Sequence, residues 1–303
     1  MKTQWELPGF TLDTSTLWNQ NKGPKDSDVE EGRLVSAEQR FRDKMAANLT
    51  GFYDLPTQSI TSNPVEVLAL AKRLREDFEA AMVIGIGGSY LGAASVVQAL
   101  GDGKYPLTWV SNIDPAAIRH ARERIGERRH STIVVSKSGN TTETLAAFYH
   151  FSRLLDPKGF VTITDPSSGE LRRLTKENEW TSLEVPTKVG GRFSVFTPVG
   201  LLPCALAGVD IVGLIEGANR MRSLLEDCKP ENNPAHLFAL ALHLWDEEHG
   251  HGQQYLMPYW SNLALLADWY VQIWGESLGK IDPSGRRVGP TPVAALGTTD
   301  QHS

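Results

Sequence analysis

Cysteine is nearly absent from this chain. Two residues in 303, Cys204 and Cys228, stand in apolar or helical contexts with no CxxC or Cys/His spacing, which argues against a disulfide framework or a zinc site. An excess of basic charge is missing as well: 30 Lys and Arg face 36 Asp and Glu, for a net charge of -6. Such a balance gives no long-range attraction to nucleic acid or to an anionic membrane, so neither is an expected partner, and any bound phosphate must be held by local donors. No apolar run reaches the roughly 18 residues that span a bilayer. The opening Met1-Lys2-Thr3-Gln4-Trp5-Glu6 has no apolar signal core, and the expectation is a soluble, cytoplasmic protein. What is present is globular: 41% hydrophobic and 22% charged residues, in a chain long enough to bury about 75% of its unfolded surface in apolar cores.

Residues 1–60 are polar, with a turn-rich stretch from Asn19 to Asp26 and a helical pattern from about Ser36 to Asn48, and read as an N-terminal extension. Asn63, a cap before Pro64, opens a helix to about Phe78, followed by the apolar run Ala81-Met82-Val83-Ile84. The pattern then repeats: helix over 90–100, strand over 107–110, helix over 115–124, strand over 132–135, helix over 141–155 and strand over 160–164. Short apolar strands alternating with helices predict a doubly wound parallel sheet, covered on both faces, within 61–204. Beyond Phe196 the pattern is mostly helical (199–207, 210–227, 234–249), with one strand over 254–257 and a long helix over 261–278. A lone strand cannot make a sheet, so 205–303 reads as the start of a second, incomplete α/β domain.

Two strand-to-helix loops carry chemistry. Gly85-Ile86-Gly87-Gly88-Ser89-Tyr90 places glycines where backbone N–H groups and the helix dipole favour an anion. A tight turn alone needs fewer glycines. A dinucleotide fingerprint requires glycine or alanine at its sixth position, where Tyr90 stands, and this disfavours a dehydrogenase. The second loop, Ser136-Lys137-Ser138-Gly139-Asn140-Thr141-Thr142-Glu143-Thr144, gathers hydroxyls and a lysine at a helix start, with Asn140 and Glu143 spaced as cap and N3 partner. Capping leaves Ser136, Lys137, Ser138 and Thr141 without work, whereas a phosphomonoester needs several such donors. No Gly-Lys-Ser/Thr closes a Walker spacing, so a nucleoside triphosphate is not the expected ligand.

Three later segments add charge. Arg192 follows Gly190 and Gly191, which permit close backbone approach to a ligand. On the helix over 261–278, Asp268, Gln272 and Glu276 form a narrow polar stripe within a wide apolar arc. That arc predicts burial, and burial would raise Glu276 toward a pKa useful for proton abstraction. His302 lies in Gly297-Thr298-Thr299-Asp300-Gln301-His302-Ser303, while His249 and His251 read as surface groups.

The Ser136–Thr144 segment resembles the phosphosugar loop of sugar isomerase (SIS) domains. With the glycine loop, Ser111-Asn112-Ile113-Asp114, Val189–Ser194, Gln272–Lys280 and Gly297–Ser303, the chain from about residue 60 onward is similar to the glucose-6-phosphate isomerase family. The resemblance implies a SIS-type, flavodoxin-like first domain and the beginning of a second SIS domain. It also implies reversible interconversion of glucose 6-phosphate and fructose 6-phosphate, with no metal and no organic cofactor, in glycolysis and gluconeogenesis. By that resemblance the phosphate would rest on Gly88, Ser89, Ser136, Lys137, Ser138 and Thr141, and Gln272 would orient the sugar. His302 would open the ring, Glu276 would move the proton between C2 and C1, and Arg192 would stabilise the enediolate. It implies a homodimer in which the histidine segment reaches the neighbouring subunit's site. Members of the family continue for roughly another domain and supply a C-terminal lysine, for which no residue here is assigned; the expectation is a fragment or truncated chain, poorly active alone and prone to associate. The rival reading, a non-catalytic SIS module that senses sugar phosphates, needs the Ser136–Thr144 loop but not Arg192, Glu276 and His302 together.

Overall fold

The structure, a computed structural model, describes residues 3–7, 9–18, 31–47, 50–57 and 64–302. The Asn19–Asp26 turns and the Asn63 cap lie outside the described residues. In chain order the elements are β1 (Gln4–Leu7), β2 (Phe10–Asp13), α1 (Glu31–Ala46), α2 (Pro64–Asp77), β3 (Ala80–Ile84), α3 (Leu91–Leu100), β4 (Leu107–Val110), α4 (Pro115–Ile125), β5 (His130–Ser136), α5 (Thr142–Phe151) and β6 (Phe160–Thr164). There follow α6 (Glu170–Glu177), β7 (Thr181–Glu184), α7 (Pro198–Leu206), α8 (Ile211–Asp227), α9 (Pro234–Glu247), β8 (Gln253–Leu256), α10 (Ala264–Leu278), β9 (Lys280–Ile281), β10 (Arg287–Val288) and β11 (Thr291–Ala294).

Five strands pair in parallel in the order β4-β3-β5-β6-β7. The period of two along β3 explains why both faces are apolar. Ala81 and Val83 turn toward Val67, Leu70 and Leu74 of α2 and Leu201 and Leu202 of α7, whereas Ala80, Met82 and Ile84 turn toward Ile125 of α4, Phe148 and Phe151 of α5 and Leu171 of α6. The result is the doubly wound α/β sandwich that the alternation predicts. β7 and α6 were not legible in the sequence: Thr181–Glu184 is an edge strand with one buried residue, Leu183, and α6 is only 8 residues long.

The remainder corrects one expectation. The strand near 254 is not alone, because β11 pairs with β8 in parallel from Thr291↔Gln253 to Ala294↔Leu256, and α10 packs against both β11 and α3. Pro292 within β11 had masked it as a strand; on a two-stranded sheet each strand has a free edge, where a missing N–H is tolerated. The first residues pack against later helices. β1 and β2 form a hairpin, and Trp5, Leu7, Trp18 and Leu34 share a core with Leu237, Leu240, Ala241 and Leu244 of α9. The Trp245 indole donates to Leu17 O at 2.8 Å and the Trp5 indole to Asn232 O at 3.2 Å.

Both cysteines are free. Burial pushes the Cys204 thiol up to about 12, so this side chain packs as a small apolar group within α7 and carries no thiolate at neutral pH. Among the described residues no helix is long and apolar enough to cross a membrane.

Candidate active site

Strand order reverses at β3 and β5, the neighbours from which the chain leaves in opposite directions, and ligands of open α/β sheets bind outside the carboxyl ends of such a pair. Both sequence-identified loops leave from that point. After β3, Gly87 adopts φ +57° and opens a short turn over Gly87–Ser89 before α3 begins. Gly88 is required by contact: a Cβ there would lie 2.4 Å from Gly191 C and 2.6 Å from Arg192 N. The glycine loop and the Gly190–Arg192 segment are therefore in backbone contact. The Ser194 hydroxyl bridges them, donating to Gly191 O at 2.6 Å, with Gly88 O at 3.4 Å. Tyr90 spends its ring on packing, edge-on to Trp109 at 5.4 Å.

The loop after β5 is a cluster of hydroxyls. Buried Ser136 Oγ lies 2.9 Å from Thr141 Oγ1, and Ser138 Oγ lies 3.5 Å from the same oxygen. Lys137 reaches across to Thr187 O at 3.0 Å. The cap expected of Asn140 is different from the sequence reading. Thr141 holds the N-cap position of α5 without a side-chain bond, and Asn140 Oδ1 instead accepts from Glu170 N at 2.8 Å, the first residue of α6. Gly139, at φ +68°, and Gly169, at φ +95°, bring the two turns so close that a Cβ on Gly169 would lie 2.2 Å from Ser138 O. Asp165 fixes the second turn: it accepts from the backbone and hydroxyls of Ser167 and Ser168, which hold its carboxyl at about 2. The loop is thus braced from behind, with the N-terminus of α5 free to meet an anion.

α10 brings the acidic stripe to the same mouth. The Gln272 amide approaches Gly87 closely enough that a Cβ there would lie 3.1 Å from Nε2, and the same Nε2 donates to Glu276 Oε1 at 3.0 Å. Arg192 faces Glu276 Oε2 with Nη1 at 3.3 Å and donates from Nε to Ser277 Oγ at 3.0 Å. The Trp269 indole donates to Arg192 O at 3.0 Å. The expected burial of Glu276 is not found: its side chain is 50% exposed, because two strands and α3 cover only part of the circumference of α10. An ion pair so open contributes only about 0–1 kcal/mol, so packing of Gly88, Gly191 and Trp269, rather than the pair itself, sets this geometry.

His302 is exposed on a short turn over Asp300–His302, and among the described residues no hydrogen bond or ion pair joins it to Glu276 or Arg192. The turn is nonetheless held firmly: Gly297 N donates to Pro258 O at 2.7 Å, and Gly297 is packed where a Cβ would meet the Tyr259 ring at 2.6 Å. Thr298 sits at φ +62°, a conformation that costs a β-branched residue about 1–3 kcal/mol and that the surrounding contacts must over-determine.

The phosphoglucose isomerase family model matches residues 75–303. The chain belongs to the phosphoglucose isomerase family. It is 37% identical to a glucose-6-phosphate isomerase of Carboxydothermus hydrogenoformans across 95% of this chain and 66% of that protein. It is 36% identical to one of Thermus thermophilus across 84% and 62%. The chain spans somewhat less than two thirds of the length of these curated relatives. Among solved structures it resembles a hypothetical protein of Thermus thermophilus with a TM-score of 0.83 and 33% identity, covering 90% of this chain and 66% of that one. A glucose-6-phosphate isomerase of Chlamydia trachomatis gives 0.69 and 27%, covering 78% and 49%. A tagatose-6-phosphate ketose/aldose isomerase of Escherichia coli, at 15% identity and a TM-score of 0.53, shares the SIS fold.

For a phosphoglucose isomerase family chain, the structure brings together Gly88, Arg192, Gln272 and Glu276, with Ser89 on the same turn as Gly88. Ser136, Lys137, Ser138 and Thr141 line the adjoining loop. His302 stands apart. Sequence reasoning overlooked Ser277, Trp269 and Asp165. Trp269 belongs to the apolar arc of α10, yet an indole beside an acidic stripe carries an N–H that seeks a partner when half-buried.

Proposed function

We propose that the chain carries the site of an aldose–ketose isomerase interconverting D-glucose 6-phosphate and D-fructose 6-phosphate through a cis-enediol. The observation that carries this reading is the convergence of Arg192 and Glu276, 3.3 Å apart, on the mouth formed by the loops of β3 and β5. The phosphate is bound by the hydroxyls of Ser89, Ser136, Ser138 and Thr141, by Lys137, by the N–H groups near Gly88 and by the start of α5. Gln272, beside both Gly87 and Glu276, orients the sugar hydroxyls. Glu276 removes the proton from C2 of the open-chain aldose and returns it to C1. Arg192, which keeps its charge at any working pH, stabilises negative charge on the enediolate oxygens. His302 exchanges a proton between the ring oxygen and the C1 hydroxyl to open the ring. Its exposure on a rigid turn fits donation to the site of a second subunit, and a cytoplasmic homodimer is the form we propose. A sensing module without chemistry would have no use for an arginine–carboxylate pair beside the phosphate loop.

Solvent isotope exchange tests the reading. In D2O, glucose 6-phosphate should acquire deuterium at C2 and the fructose 6-phosphate formed should carry it at C1, as proton NMR would show. Conversion with no label at either carbon would exclude proton transfer through Glu276 and point to a hydride shift instead.

A further inference from the structure

The segment 50–57 carries no sequence motif of its own, yet it lies against the arginine loop. Phe52 stacks on Phe193 with ring centroids 4.1 Å apart and planes at 17°, and the Arg192 guanidinium lies over the Phe193 ring at 4.7 Å. Beside this stack, Gly51 packs so tightly on Lys188 that a Cβ would lie 2.8 Å from Lys188 O. The other end of the segment is tied to α8. Arg222 donates to Asp54 Oδ1 at 3.0 Å and to Thr57 Oγ1 at 2.8 Å and covers the Tyr53 ring at 5.1 Å, while Leu55 is buried. A phenylalanine that carries a guanidinium on its ring face must itself be held, because its own side chain has two free torsions.

We infer that residues 50–57 are a strap that positions Arg192, with Phe52 as the positioning residue: anchored through Asp54 and Thr57 on Arg222, it holds the Phe193 ring and thereby the guanidinium at the mouth of the site. What Arg192 acts on rests on the isomerase reading; how it is held rests on geometry alone. Phe52 touches no reacting atom in this arrangement and acts only through Phe193.

Two measurements on the chain separate these parts. Without ligand, 15N relaxation of the Arg192 Nε–H reads the strap directly. That group should be ordered in the wild type and in Phe52→Tyr, which keeps the ring, and mobile in Phe52→Ala and Phe52→Leu. An equally ordered Nε–H in a folded Phe52→Ala or Phe52→Leu protein overturns the strap whatever any ligand does. Titration then compares 6-phosphogluconate, whose C1 carboxylate stands where enediolate charge would develop, with glucitol 6-phosphate, which has a hydroxyl there. Phe52→Ala should weaken the first about tenfold, the scale of one misplaced charge-assisted hydrogen bond, and leave the second unchanged. Phe52→Tyr should restore both. Equal weakening of both ligands would reduce Phe52 to a general structural role and overturn its positioning role. A wild-type chain that binds neither would sink the isomerase reading, while the relaxation result still decides the strap.

Discussion

Replacing Glu276 by glutamine should abolish turnover while sparing substrate binding. In a form of the protein that interconverts the two sugar phosphates, Glu276→Gln should lower kcat by roughly 10²–10⁴, the usual contribution of a positioned general base. The change removes one proton acceptor and the charge that faces Arg192 at 3.3 Å, an open pair worth only about 0–1 kcal/mol. Glutamine fills the same volume, and the amide oxygen can still accept from Gln272 Nε2, now at 3.0 Å from Glu276 Oε1. The phosphate loop is braced by Asp165, Gly139 and Gly169, none of which touches α10, so KM should change little. The signature sought is therefore a loss in kcat with KM preserved, as for an interaction made only in the transition state. A variant that keeps more than a tenth of the wild-type rate would take the base role from Glu276.

A single methyl group at Gly88 should be nearly as damaging. With Cβ 2.4–2.6 Å from the Gly191 and Arg192 backbone, Gly88→Ala must push two backbone segments apart by about 1 Å to reach ordinary contact. A shift of that size in a catalytic group costs about 10²-fold in rate. Arg192 and the turn beneath Gln272 would both move, and kcat/KM should fall by at least this factor. Gly191→Ala is the comparator, since no atom lies within 4 Å of a Cβ built there. It should stay within a factor of about two of the wild type, as an unobstructed substitution does. Gly191→Ala should melt close to the wild type, whereas Gly88→Ala should lose stability as well as rate, since the atoms in its way are backbone; if Gly88→Ala turned over normally, the contact between the two loops would not be what sets the site.

The parallel sheet was legible because its strands are continuous apolar runs: Ala80–Ile84 and Phe160–Thr164 are buried at every position. Strands that are half-covered were harder to read. β7 and β11 mix polar residues with the apolar ones, and β11 contains Pro292; β8, equally mixed, was legible as a strand near 254. In the site, the loops were legible because glycines and hydroxyls at a strand end have few other uses. The environment of Glu276 was not, because a wide apolar arc indicates what a helix could bury, while exposure depends on how many neighbours are present to cover it. The cap was misread for a related reason. Asn140 has the right spacing for α5, but its amide finds the start of α6, a partner thirty positions along the chain. The strap was invisible altogether: Phe52 and Phe193 are far apart in sequence, and nothing local to either signals a stacked pair.

Binding of a sugar phosphate by the loop after β5, at the sheet's reversal point, is tested by hydrogen exchange on the chain itself. Saturating 6-phosphogluconate should slow exchange of the backbone amides from Ser136 to Thr144, while gluconate, the same sugar acid without the phosphate, should leave them as they are. Equal protection by the two, or none by the phosphorylated ligand, would contradict the account.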